Sequence, residues 1–177
     1  MAVDHVKSTY ITNMDASPAI PPTAGEGGPA PLKSVSSGSV VAVASSSQDA
    51  TYQFCRVPSN SKIKTIFFES QAQAGGTMDI GLYYATDGEG GKPTSLLAAN
   101  AIDQDFFASA VALTSLSQPT NVTNESGTYT PDKQVQPLWQ AVGLTSDPGG
   151  YFDIVGTVVG AITTGTGKMG MQVQYTD

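Results

Sequence analysis

The chain has 177 residues, room for one domain with appendages, and 40 % of them are hydrophobic, enough to build a core. Its net charge of −7, with only eight scattered basic residues, argues against a nucleic-acid binder, which clusters Lys and Arg against phosphates. No apolar run nears the ~20 residues needed to cross a bilayer, so no membrane partner is expected.

Charged residues make up 13 % of the chain, about half the share common in globular proteins. Polarity comes from Ser, Thr, Gln, Asn and Gly instead. A surface so poor in charge suits dense packing against other subunits, and it equally suits an ordinary Ser/Thr-rich β-protein.

Residues 1–35 form the first unit. MAVDHVKSTYITNMD lacks the charged, apolar and cleavage segments of a secretory signal. Pro18, Pro21, Pro22, Pro29 and Pro31, with the run Thr23–Gly28 among them, leave neither helix nor central strand credible. Yet Val6, Tyr10, Ile11, Met14 and Ile20 are spaced through this stretch, which a solvated tail would not need. They are the candidate partner contacts of an extended arm, with a disordered leader as the alternative.

Residues 36–177 form the second unit. Strand signals fall at Ser39–Ala44, at Thr51–Val57, at Lys62–Glu69 and at Thr77–Tyr84. Within Thr51–Val57, simple alternation puts Tyr52 and Phe54 on one face and Cys55 and Val57 on the other. A lone cysteine in such a run reads as a buried, inert thiol. Pro93 can open a short helix. The run FFASAVAL fits a helical turn or a strand, and its length does not decide between them. Asn121–Tyr129 reads as a weak strand or loop.

Gln136-Pro137 opens a helical turn that carries Leu138, Trp139 and Val142 on one face and stops at Gly143. Trp139, the only tryptophan, is expected to anchor that turn on the core. Tyr151–Ile162 and the alternating KMGMQVQY read as a long terminal β-hairpin. Seven or eight strands with no βαβ rhythm predict an all-β, antiparallel two-sheet sandwich. The longer connections favour a jelly roll over an Ig-like sandwich.

Chemistry is sparse. The single histidine, His5, lies in the arm, where it cannot be held as a catalytic base. With one histidine and one cysteine, a zinc site is excluded in practice, and no metal or cofactor is expected. Asp103 and Asp105 stand two apart, and paired carboxylates can run glycoside hydrolysis when held across a bond, so a hydrolase is one alternative. Surface turn roles account for the acidic residues more simply. Trp139 or Tyr83 and Tyr84 could instead form the sugar platform of a carbohydrate-binding module. No catalytic residue is assigned, and the chain is not expected to be an enzyme.

The phrases PAPLKSVSSGSV, YQFCRVPSN, MDIGLYYATDG, IDQDFFASAVAL, QPLWQAVGLTSDPGGYFDIV and GKMGMQVQY resemble, in order and spacing, head decoration or cement proteins of tailed bacteriophages. The resemblance spans nearly the whole chain, although none of its strings carries a mechanism. It implies a β-sandwich on the outside of the capsid, bridging subunits of the major capsid protein. It also implies self-association as a homodimer or homotrimer on the shell, and assembly in the bacterial host cytoplasm.

Overall fold

The computed structural model describes residues 5–8, 11–12, 15–17, 32–86, 100–113, 116–163 and 166–177. Among these residues the strands are β1 (His5–Lys7), β2 (Lys33–Val41), β3 (Thr51–Pro58), β4 (Lys62–Ser70) and β5 (Thr77–Tyr84). They continue with β6 (Ala101–Ala112), β7 (Leu116–Asn121), β8 (Tyr151–Gly160) and β9 (Lys168–Thr176). Between β7 and β8 lie a 3-10 turn (Lys133–Val135) and a helical turn, α1 (Leu138–Ala141). FFASAVAL is strand, the interior and end of β6.

Two sheets face each other, ordered β1-β3-β8-β5-β6 and β2-β9-β4-β7. The pairing follows one rule. Strand β2 pairs with β9, β3 with β8, β4 with β7 and β5 with β6, all antiparallel. The first half of the chain is therefore one side of a long hairpin and the second half is the other. Rolling that hairpin up brings β4 beside β9 and β5 beside β8, which closes a jelly roll.

The terminal strands accordingly do not pair with each other, contrary to the hairpin expected from their adjacency. Strand β8 is the middle strand of one sheet and β9 an inner strand of the other. Strand β9 turns one face to the opposite sheet and the other, with Lys168, Gln172 and Gln174, outward, whereas β8 is buried on both faces over most of its length.

The core lies between the sheets. Tyr52, Phe54, Cys55, Val57, Met78, Ile80, Leu82, Phe152 and Ile154 meet Val35, Val40, Ile63, Ile66, Phe68, Met169, Met171 and Val173 in one cluster. The rings of Phe54 and Phe68 join the layers edge to face at 5.6 Å. At one end Phe106, Phe107 and Tyr129 stack with centroids 5.0 to 5.3 Å apart, and the Tyr129 hydroxyl donates to the Ile63 carbonyl at 2.8 Å.

The two-face assignment expected for Thr51–Val57 does not hold. The register of β3 against β8 shifts between Gln53 and Cys55, so Phe54 is an extra residue. Such a bulge restarts the alternation. Tyr52, Phe54, Cys55 and Val57 all face the core, while Gln53 and Arg56 face away.

The turn α1 is seated by the β3–β4 connection. The amides of Leu138 and Trp139 donate to the carbonyls of Ser61 and Ser59 at 2.8 and 3.2 Å. Gly143 ends it with φ +84°, a conformation that glycine adopts without strain. Leu138 is fully buried, whereas Trp139 is half-buried and packs against the edge of the core. Burial sets the cost of truncation, so Leu138→Ala should lose about 3 kcal/mol and Trp139→Ala about 1.5 kcal/mol in urea unfolding. The reverse order would place the tryptophan as the principal anchor of the turn.

Candidate interaction surfaces

The two sheets present unlike outer faces. On the face of β3 and β8 that points away from the core, Gln53, Arg56, Val155, Asp153 and Thr157 are all buried, as is Tyr83 on β5. Arg56 and Asp153 are direct cross-strand partners. Arg56 Nε donates to Asp153 Oδ1 at 2.7 Å and Nη2 donates to Oδ2 at 3.1 Å, a two-pronged pair. The Thr86 amide donates to Asp153 Oδ2 at 3.2 Å, and Gln53 Nε2 also donates to that oxygen.

Burial pushes the Asp153 carboxyl above the ordinary aspartate range, and Arg56, Thr86 and Gln53 pull it back without cancelling the shift. On Arg56 burial acts downward, but Asp153 and Asp15 outweigh it and strengthen the hold on the proton. A guanidinium stays charged at any working pH, and its charge and hydrogen bonds favour the ionised form of the carboxylate beside it. Cys55, one residue away on the core side, is fully buried, and burial followed by the charge of Asp153 pushes its thiol well above the usual range.

This cluster holds part of the N-terminal segment. Arg56 Nη1 donates to Asp15 Oδ1 at 2.8 Å, and Lys7 Nζ bridges Asp15 Oδ2 at 2.6 Å. Strand β1 lies parallel to β3, in register from His5 with Thr51 to Lys7 with Gln53. Ser8 follows, donating its amide to the Gln53 carbonyl at 2.8 Å and its hydroxyl to the Phe54 carbonyl at 2.6 Å. Of the five candidate arm contacts, Val6 is half-buried and packs against this chain's own core, and Ile11 is fully buried. Tyr10, Met14 and Ile20 lie outside the described residues, as does Pro93.

The outer face of the β2-β9-β4-β7 sheet is open. It carries Ser34, Ser36, Phe67, Glu69, Gln172 and Gln174, and Lys168 lines its larger groove, so Glu69 and Lys168 are opposite charges set among neutral groups. Two adjoining shallow grooves, of about 630 and 240 Å³, cross it and share Gly38, Glu69 and Gly170. A methyl group on Gly170 would lie 2.9 Å from the Glu69 carboxylate and 3.3 Å from the Gly38 carbonyl, so the floor is kept low by missing side chains.

The residues singled out for chemistry are placed as follows. Asp103 and Asp105 do come together on β6, but at its surface. Partial burial and the neighbouring Asp105 carboxyl raise the Asp103 pKa, against a smaller pull from Lys133. Among the described residues no group of three His, Cys, Asp or Glu side chains could hold a metal ion. Tyr83 is buried with its hydroxyl 2.6 Å from that of Thr157, and Tyr84 packs edge to face on Phe152, so neither offers an open ring. Composition pointed to none of the Arg56 cluster.

No protein-family model and no curated protein matches this chain. Among solved structures, a chain of the capsid of Ralstonia phage GP4 superposes with a TM-score of 0.54 at 10 % identity, over 98 % of this chain and 97 % of that one. A chain of the cyanophage Pam1 capsid asymmetric unit aligns at 0.48 with 18 % identity, over 91 % and 95 % of the two chains. At such identities the first likeness speaks for a shared fold from end to end, and the looser second adds nothing to it.

Two predictions follow from the charges. Arg56→Ala strands a buried carboxylate and should cost about 3–5 kcal/mol in denaturant unfolding. Asp15→Ala removes a partly exposed partner and should cost about 1 kcal/mol. Equal losses would contradict this division. Because the folded state raises the Asp103 pKa, that group favours folding at low pH, and the benefit is lost as pH rises through the raised value. Asp103→Asn should therefore raise Tm at pH 7, with the gain vanishing below about pH 4. A gain unchanged with pH would mean that the charge of the half-buried Asp103 beside Asp105 is not its source.

Proposed function

We propose that this chain is a structural protein of a tailed-phage virion that binds the outer surface of the capsid, bridges subunits of the major capsid protein and cements the shell. The observation that carries this reading is the end-to-end likeness of its fold to a chain from the capsid of Ralstonia phage GP4. The phrase-level resemblance to decoration proteins agrees with it. So does a surface low in charge, with an open, nearly neutral sheet face that can pack on a neighbour without stripping water from many ions.

The role asks for no catalysis, cofactor or metal. It places the protein on the virion exterior after assembly in the host cytoplasm, as a homodimer or homotrimer. Many copies on a symmetric lattice multiply weak contacts into firm attachment. The test is to add the purified full chain to phage shells prepared without it. Co-sedimentation at saturating stoichiometry and a higher temperature of shell rupture are expected, with both lost or weakened for Phe67→Asp on the open face. Shells that neither bind the chain nor gain stability would overturn the reading.

A further inference from the structure

Strand β1 stands outside the logic of the jelly roll. The rolled hairpin is complete with β2 to β9, and β1 is the one strand of the described residues that pairs in parallel. It covers the outer edge of β3. Of the four sheet edges that the described strands create, the other three carry their own protection against pairing with a further strand. The register of β2 breaks between Ser36 and Ser39, with Gly38 at φ +66°. Strand β7 has Pro119 in mid-strand. Strand β6 slips register three times against β5 and holds Ala110 at φ +53°. Strand β3 has a bulge of its own at Phe54, but the Thr51–Gln53 stretch before it pairs regularly with β8, and there the cover is the arm.

The arm is also a self-contained unit. Ser8 caps a helical turn by accepting from the Ile11 amide on its hydroxyl at 3.2 Å. The Thr12 amide donates to the Ser8 carbonyl and the Asp15 amide to the Ile11 carbonyl, each at 2.9 Å. Lys7 and Asp15 close the unit by their ion pair. Among the described residues, its hydrogen bonds and ion pair to the domain fall on consecutive parts of one strand: the β3 edge at Thr51–Gln53, the Gln53 and Phe54 carbonyls, and Arg56. Asp153, which holds Arg56 through two hydrogen bonds, lies on β8 and not on the arm. Residues 18–31, a stretch with five prolines, join the arm to β2 and could span roughly 45–50 Å if extended.

We propose that the edge of β3, together with Arg56, is an exchangeable receptor for this arm, and that in the assembled state it takes the arm of a second copy of the chain. The contacts made in trans are those made in cis, so exchange forfeits little bonding while linking two copies. The proposal concerns self-association and stands apart from the shell reading, since either can fail alone.

The test uses the full chain with His5→Cys and Thr51→Cys, two positions in register on β1 and β3. Unlabelled and ¹⁵N-labelled protein are mixed at rising concentration, warmed briefly below the unfolding transition, cooled and oxidised, and the linked peptides are weighed by mass spectrometry. Arm exchange gives peptides with one light and one heavy half, rising towards about half of all links at full exchange. Asp15→Asn, which weakens docking, should speed their appearance. Links that stay within one isotope at every concentration would falsify the proposal. Should the double variant not fold, a benzophenone side chain at position 7 of an otherwise unaltered chain gives the same isotopic readout.

Discussion

One extra residue in β3 organises much of this molecule. With Phe54 inserted opposite β8, two successive side chains turn inward, and every residue after them sits one step out of the simple alternation. Phe54 reaches Phe68 in the opposite sheet, and Cys55 fills the space beside it. Gly156, opposite Tyr52 on β8, has no side chain to spare. A methyl group there would stand 2.9 Å from the Phe54 ring and 2.2 Å from the Met78 sulfur. The same insertion turns Arg56 outward, opposite Asp153. Without it Arg56 would face the aromatic core and Val57 the ionic cluster, since a shift of one residue exchanges the faces of a strand.

The Arg56–Asp153 pair matters for specificity more than for net stability. Taking two charges out of water costs several kcal/mol for each ion, and their attraction does little more than return it. What the pair adds is a penalty on every wrong register, because any slip of β3 on β8 leaves a buried charge without its partner. A second consequence reaches the N-terminus. A guanidinium already fixed by Asp153 has one remaining fork directed at Asp15, so the arm meets a prepared site and loses less ordering entropy on docking.

Much of the architecture was legible in the sequence. The bounds of Thr77–Tyr84 fall where alternation and the flanking glycines put them, and the scarcity of helix signals pointed to a sandwich. Pairing was not legible for β8 and β9, because alternation reports how many faces a strand buries and not which strand lies beside it. The Arg56 cluster was missed for a related reason: its members stand 97 residues apart. Yet a signal existed. An arginine inside TYQFCRV and an aspartate inside YFDIVG are charges in runs that otherwise read as fully buried, and buried charges of opposite sign imply one another. The apolar residues of the arm were recognised, but their spacing could not tell a partner's surface from the chain's own, where Val6 lies beside Tyr52 of β3 and Ile11 is fully buried.

The unlike treatment of the two sheets gives the molecule a direction. One sheet spends its outer face internally, on the ionic cluster and on Val155 and Tyr83. The other leaves its outer face to solvent, floored by glycine and lined by serine and glutamine. Side chains this short lose little rotamer entropy when a flat surface closes over them, and their hydroxyls and amides can donate or accept as the partner requires. Such a face binds weakly as a single site. Its strength in an assembly comes from repetition, and an arm shared between neighbouring copies would raise the effective concentration of each face at the next site. On the proposed reading, edge and face would serve one end, the edge joining copies and the face laying them on a common support.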